Sequence, residues 1–394
     1  MNNEREFKDL PEGWKLSKVK DLFVDGRGRI ISEEEIKNKE GIYPVYSSQT
    51  SNNGELGKIN TYDFEGEFIT WTTDGANAGT VFYRNGKFNC TNVCGILKPR
   101  NENINVKFFS YLLSTIAKNY VSYIGNPKLM NSTFRDIKII HPNNYYEQSK
   151  IAEILETVDN AIEKTDKIIE KYKRIKQGLM QDLLTKGIDE NGNIRNEKTH
   201  KFKDSPLVRI PEEWEVVRLG EMGEIIYGER LNEYEYFEDG SSIVYGTTGI
   251  IARTEKYIDV GEAIILPRKG SINNKFYVKE GQKFFVIDTA FYVKFTKTEV
   301  YVKYIYYFLH QVNFELLNEA TGIPSLNREN LKNILIPLPP LPEQQRIAEI
   351  LSQIDKTIEK EEQYKEKLKR LKQGLMGDLL TGKVRVNHLV EEEE

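Results

Sequence analysis

One segment of this chain occurs twice. EQSKIAEILETVDNAIEK, beginning at Glu147, recurs as EQQRIAEILSQIDKTIEK at Glu343, and KRIKQGLMQDLLT from Lys173 recurs as KRLKQGLMGDLLT from Lys369. Both matches share one offset without a gap, which is the mark of a repeated structural unit. Fainter echoes lie upstream: Leu10-Pro11-Glu12-Gly13-Trp14 parallels Ile210-Pro211-Glu212-Glu213-Trp214, and Pro127 to Ile139 parallels Pro324 to Ile336. The plan is a globular segment, a helix, a second globular segment and a second helix.

The repeated segments read as long helices. Apolar residues fall at alternating steps of three and four at Ile151, Leu155, Val158 and Ile162, then Ile169 and Tyr172, and in the second copy at Ile347, Leu351, Ile354 and Ile358. That spacing is a coiled-coil seam. Asn144 can cap the first helix, with Glu147 completing a capping box. Pro342 suits the first turn of the second, where its missing N–H costs nothing. Gly187 and Gly382 stop the two helices, giving each about 40 residues and roughly 60 Å. A stripe of that length cannot be buried on a small domain alone, so the helices are expected to pack together, antiparallel in view of the chain order. Gly178 and Gly374, inside KQGLM, mark either a tolerated fraying end or the close approach of another backbone.

The segments between the helices are rich in Tyr, Phe, Val, Ile and Thr in short runs broken by Gly, Asn and Asp, which reads as twisted sheet with polar loops. Each ends in a helical patch near Phe108 or Tyr304, then a short helix and a strand. The expected fold is α/β (α+β), two globular domains with two long antiparallel coiled-coil helices and an internal pseudo-twofold repeat. The boundaries predicted are 1–146 and 207–342 for the globular domains, 147–186 and 343–384 for the helices, 187–206 for a linker of loop composition, and 385–394 for an acidic tail.

Composition narrows the function classes. No stretch approaches the roughly 20 apolar residues that span a bilayer, and MNNEREFKDL lacks the apolar core of a leader, so no membrane association and a cytoplasmic location are expected. Cys90 and Cys94 lie in a segment read as one extended strand, where positions four apart stand roughly 13 Å apart, too far for a disulfide. His141, His200, His310 and His388 are scattered singly, so no metal site is expected. An adenine methyltransferase needs a glycine-rich cofactor loop and an Asn/Asp-Pro-Pro-aromatic motif, and Asn126-Pro127-Lys128 fails at its third position. Gly57-Lys58, Gly86-Lys87 and Gly382-Lys383 are followed by Ile, Phe and Val rather than the Ser or Thr of an ATP loop. The chain reads as a binder rather than an enzyme.

Two strand-and-loop domains, each closed by a GxPxLN-like element and IxxPxxxEQxxIAxIL and followed by a helix ending KQGLMxDLLT, resemble the specificity subunit of a type I restriction-modification system along nearly the whole chain. The elements stand here as Gly125-Asn126-Pro127-Lys128-Leu129, Gly322-Ile323-Pro324-Ser325-Leu326-Asn327, Glu147-Gln148 and Glu343-Gln344. The resemblance implies two target-recognition domains, each reading one half of a split sequence in double-stranded DNA. It also implies partners: two adenine-specific methyltransferase (M) subunits, docked partly on the helices, and ATP-dependent restriction (R) subunits. S-adenosylmethionine, ATP and magnesium then belong to those partners, with no cofactor in this chain. Two diverged readers imply an asymmetric target.

The net charge of −4 fits a phosphate-coating protein poorly, although residues 11–146 are basic by roughly three charges and 211–342 acidic by roughly five. A coiled-coil scaffold whose domains bind protein or carbohydrate is the alternative reading. Candidate DNA contacts in the first unit are Ser47, Ser48, Gln49, Asn52 and Asn53 in one loop, Thr72, Thr73 and Asn77 in a second, and Lys128 and Asn131. Plain turn chemistry explains any one of these equally well. In the second unit Thr247 and Thr248 correspond to the first loop, and Arg268, Lys269, Ser271, Asn273, Asn274 and Lys275 to the second. Ser325, Asn327 and Arg328 are weaker candidates, because Asn327 can simply cap the next helix. Arg268 and Lys269 lead, as basic residues in an acidic segment.

Overall fold

The computed structural model describes residues 10–232 and 235–389. The last five residues of the expected acidic tail lie outside them. The chain divides into two compact units, one formed by 1–166 with 364–394 and the other by 167–363. Each unit therefore combines one globular segment with parts of both long helices.

In the first unit Trp14–Lys18 pairs antiparallel with Lys138–Pro142, joining the start of the globular segment to its end. A six-stranded sheet runs in the spatial order Phe23–Arg27, Cys94–Pro99, Phe64–Thr72, Val81–Cys90, Glu40–Tyr46, Glu55–Ile59. Val45 and Tyr46 pair in parallel with Asn89 and Cys90. Helix Val106–Ile116 buries Phe108, Phe109, Leu112 and Leu113 in the core, with Phe109 edge-on to Phe23 at 5.5 Å.

The second unit keeps this plan but splits the sheet. Glu215–Arg218 pairs with Leu335–Leu338. One four-stranded sheet contains Gly223–Tyr227, Ala290–Phe295, Ala263–Pro267 and Phe276–Val278; another contains Gly249–Thr254, Ser242–Gly246, Lys283–Val286 and Asp259–Val260. Ile243 to Tyr245 run parallel to Phe284 to Val286, the counterpart of the parallel pair in the first unit. A Cβ on Gly28 would lie 2.2 Å from the Cys90 carbonyl oxygen, and one on Gly228 2.2 Å from that of Ile287, so both crossings require glycine.

The cysteines differ from expectation. Val81–Cys90 and Cys94–Pro99 are two strands, and Cys94 N–H donates to Thr91 O (3.0 Å) across a tight turn. The turn folds Cys94 back, so the two cysteines stand on neighbouring ends of two strands instead of on one; both are buried and free, and the Cys94 thiol donates to Tyr46 O (3.6 Å). Thr91, Asn92 and Val93 carried the missing turn signal, weak because only Asn92 is a strong turn former.

The long helices span Tyr145–Leu183 and Leu341–Leu379, 39 residues each. Asn144 caps the first by accepting from Tyr146 N–H at 2.9 Å, but Glu147 turns elsewhere and no box forms. The helices run antiparallel: Asp159 and Asp166 meet Lys372 and Lys365 in the first unit, and Lys173 and Lys176 meet Glu362 and Asp355 in the second. One cluster occurs in both copies. Asp159 takes Lys372 (2.6 Å) and the Tyr111 hydroxyl (2.7 Å), and Asp355 takes Lys176 (2.6 Å) and the Tyr307 hydroxyl (2.8 Å).

The seam residues have two environments. Ile151 and Leu155 pack into the first unit's core together with Leu379 and Leu380, while Ile347 and Leu351 pack into the second with Met180, Leu183 and Leu184. The first turns of each helix thus dock on sheet and helix at once. Val158 and Ile358 are buried further along, and Ile162 and Ile354 are half-buried. Among the described residues, nothing lies within 4 Å of where a Cβ on Gly178 or Gly374 would stand.

The duplicated Glu-Gln pair now has a physical reading. Gln148 accepts from Asn105 N–H (2.9 Å) and donates to Pro142 O (3.0 Å); Gln344 accepts from Tyr301 N–H (2.8 Å) and donates to Pro339 O (2.8 Å). Each glutamine ties a helix start to the neighbouring helix and strand. Each glutamate receives an arginine from beyond the end of the other long helix, Arg385 on Glu147 and Arg195 on Glu343. The stretch 187–206 is accordingly not a bare linker: Ile188 and Arg195 are buried, and Phe202–Lys203 pairs with Ile210–Pro211. Val386 likewise belongs to the first core, because a β-branched apolar residue beside Arg385 gains more from burial than from extending a tail.

Candidate nucleic-acid interface

The second loop of each unit is held in one backbone frame. In the first unit Gly75 N–H donates to Pro127 O (3.0 Å) and Leu129 N–H to Thr73 O (2.9 Å). In the second, Gly270 N–H donates to Pro324 O (2.9 Å) and Leu326 N–H to Arg268 O (2.8 Å). These bonds match Thr73 to Arg268, Asp74 to Lys269 and Lys128 to Ser325. Trp71 reinforces the first frame by donating to Leu129 O (3.0 Å) while stacking on Phe134 at 4.1 Å.

The matched hydrogen bonds carry unlike chemistry. In the first unit Thr72 and Thr73 are buried, and the Thr73 hydroxyl donates to Asp74 (2.6 Å), so neither threonine faces solvent. Asn77 is half-buried in the turn, and exposed Lys128 stands 3.9 Å from the Asp74 carboxylate. Asn131 donates to Gly26 O (2.8 Å), a tie to the sheet. In the other loop Ser47 meets the Thr91 hydroxyl (3.1 Å) and Gln49 donates to Glu55 O, with Ser48 half-buried beside them. Asn52 and Asn53 are exposed with φ of 48° and 51°, a left-handed conformation that asparagine tolerates.

The second unit presents cations instead. Arg268 donates to Asp288 O (2.8 Å) and lies 5.2 Å from the Tyr227 ring centre, while Arg328 approaches the same ring at 5.1 Å. Lys269 and Ser271 are exposed. Asn273 donates to Glu315 (2.9 Å) and Asn274 to Thr247 O (2.9 Å), with Thr248 exposed next to it. Ser325 N–H donates to Asn318 (2.9 Å), and Asn327 accepts from Glu329 N–H (2.9 Å) as the cap of the short helix. Lys275 departs from expectation. Its side chain is buried, donating to Val312 O (3.1 Å) over the Phe314 ring, and burial lowers its pKa to about 8. A four-carbon stem in an aromatic crevice explains this inward turn. Tyr227, exposed between two guanidiniums, was not singled out by sequence; its position before Gly228, the glycine of a strand crossing, was the available signal.

Residues 11–173 and 211–370 match the family described as the type I restriction modification DNA specificity domain, once for each repeat. The chain belongs to this family. A putative type I specificity subunit of Mycoplasma pneumoniae is 32% identical over 85% of this chain and 87% of its own. The type I restriction enzyme MjaVIII specificity subunit of Methanocaldococcus jannaschii is 28% identical over 98% and 97%. The fold matches the crystal structure of a type I restriction-modification S subunit from M. genitalium, with a TM-score of 0.69, 17% identity, and 94% and 96% of the two chains covered. As a type I specificity subunit the chain is the recognising, non-catalytic member of its complex. Among the described residues no helix is long and apolar enough to cross a membrane, and no cluster of metal-ligating residues occurs.

Proposed function

We propose that this specificity subunit reads a split, asymmetric sequence in double-stranded DNA, one half per unit, and positions two adenine-methyltransferase subunits and the restriction subunits on it. One observation carries the reading: the same hydrogen-bonded frame presents Thr73-Asp74-Gly75 in one unit and Arg268-Lys269-Gly270 in the other. Equivalent frames place side chains alike, and different side chains select different base edges in the major groove. Arg268, Lys269, Ser271 and Arg328 are the leading contacts of the second unit. In the first, Ser48, Asn52, Asn53, Asn77 and Lys128 lead.

A second duplication supports a place for the partners on the long helices. Ile168 and Ile175 stand exposed one heptad apart on the first long helix, and Tyr364 and Leu371 occupy the corresponding positions on the second. Two like apolar stripes fit two copies of one partner, and the open Gly178 and Gly374 adjoin them. S-adenosylmethionine, ATP and magnesium belong to those partners in this reading.

Mapping methylated adenines in cells that express the chain with its methyltransferase partner tests the proposal. The expected motif is bipartite and non-palindromic, and exchanging residues 211–342 for those of another specificity subunit alters one half only. A continuous or palindromic motif, or none, refutes it.

A further inference from the structure

Beside each second loop stands a hairpin with an exposed isoleucine. In the first unit Ser122 and Lys128 exchange two backbone hydrogen bonds of 2.8 and 2.9 Å, closing a loop in which Gly125 (φ 75°) turns the chain and Ile124 is 93% exposed. In the second unit Asn318 bridges to Leu326, and Ile323 is 74% exposed in the loop between them. A single exposed aliphatic side chain means little. Here the loop ahead of the paired proline exposes one in each unit, at positions that are not equivalent: Ile323 stands where the first unit has Asn126, and Ile124 where the second has Thr321.

Their neighbours limit what they can meet. Pro127 and Pro324, three residues and one residue beyond the isoleucines, accept the hydrogen bonds from Gly75 and Gly270 that tie each hairpin to its second loop. The hairpin therefore travels with the loop. A loop whose polar side chains meet base edges in the major groove brings its isoleucine to the same groove. The apolar feature there is the thymine 5-methyl group. Branching at Cβ restricts χ1 of isoleucine, so such a contact loses less side-chain entropy than one made by an unbranched residue.

We propose that Ile124 and Ile323 are specificity-determining residues that each cover a thymine methyl group in the half-site read by their own unit. This assignment rests on the DNA-reading function proposed above. The test uses the chain co-expressed with the methyltransferase subunit of its own system, and compares methylated motifs for wild type, Ile124→Ala and Ile323→Ala. Both side chains are exposed, so alanine leaves the cores intact. Each variant loses roughly three- to tenfold of its preference for thymine at one position in one half-site, the other half being unchanged. Purified wild-type complex binds the mapped site more weakly, by a similar factor, when that thymine is replaced by uracil, and the matching alanine variant does not distinguish the two bases.

Equal thymine preference in wild type and variants overturns the assignment while leaving the DNA reading intact. So does a half-site made wholly of G·C pairs, or a uniform fall in methylation with no change of motif, which points to a wedge or to a partner contact instead. A wild-type complex that marks no sequence removes the DNA reading, and the isoleucine assignment with it.

Discussion

Arg385 grips the Glu147 carboxylate with two hydrogen bonds of 2.7 and 3.0 Å, from 238 residues further along the chain. Arg195 holds Glu343 in the same way in the other unit, where Trp214 adds an indole hydrogen bond of 3.1 Å. The chain emerging from each long helix thus locks the beginning of the other. This explains why each compact unit is assembled from distant parts of the sequence.

Breaking the lock leaves a buried carboxylate without its cation. Arg195→Ala is expected to destabilise the second unit by about 3–5 kcal/mol, the range for truncating one member of a buried pair. Arg385 is more accessible, so Arg385→Ala should cost less, about 2 kcal/mol. Urea unfolding followed by hydrogen exchange at residues 188–214 and 11–18 reads the two units separately. Adding Glu343→Gln to Arg195→Ala should restore part of the loss.

The two strand crossings make a steric prediction. Gly228→Ala places a methyl group 2.2 Å from the Ile287 carbonyl oxygen, which belongs to backbone that cannot yield cheaply. A loss of at least about 2 kcal/mol is expected, with reduced recovery of folded protein. Gly28→Ala should do the same in the first unit. Gly374→Ala, where nothing stands near, should instead raise the thermal stability of the isolated chain, by about 1 kcal/mol of helix propensity. If a partner backbone lies against that glycine in the complex, the same substitution weakens association with the methyltransferase subunit, measurable by sedimentation.

The recognition loops separate two kinds of contact. Lys269→Ala should weaken binding across all sequences and reduce the dependence of log K on log salt by about 1, as expected for one lost phosphate contact. Arg268→Ala should cost about 1–3 kcal/mol on the specific site and little on unrelated DNA, if its guanidinium meets a base. Titrations of mapped and scrambled duplexes at several salt concentrations distinguish the two. Equal effects on both duplexes would remove Arg268 from the base-reading set.

What the sequence made legible was whatever repeats at short range. The apolar spacing from Ile151 to Ile162 and from Ile347 to Ile358 disclosed the helices, and the matching KQGLM segments disclosed the duplication. The Arg385–Glu147 lock left no local trace, since its partners are joined only by the fold. The turn at Thr91 to Val93 was hidden because strand-forming residues flank it on both sides. Lys275 looked like a surface cation because its neighbours Asn273 and Asn274 are polar. Only Phe314, dozens of residues away, shows that its stem has an aromatic crevice to enter.

Lys275 carries the last prediction. Burial lowers its pKa to about 8, below the value of about 10.4 for lysine in an unfolded chain. Between those values the unfolded chain holds a proton that the folded unit has released, so the stability contributed by this group rises with pH, by at most about 1.4 kcal/mol per pH unit. Below pH 8 both states are protonated and the full penalty of a buried charge remains. Replacing the lysine by methionine removes that penalty while keeping an unbranched side chain over Phe314. Lys275→Met should therefore be more stable than wild type at pH 7, with the difference shrinking as pH rises from about 8 to 10. Urea midpoints of the two proteins across that range measure it. A constant difference would mean that Lys275 keeps its charge in the folded unit.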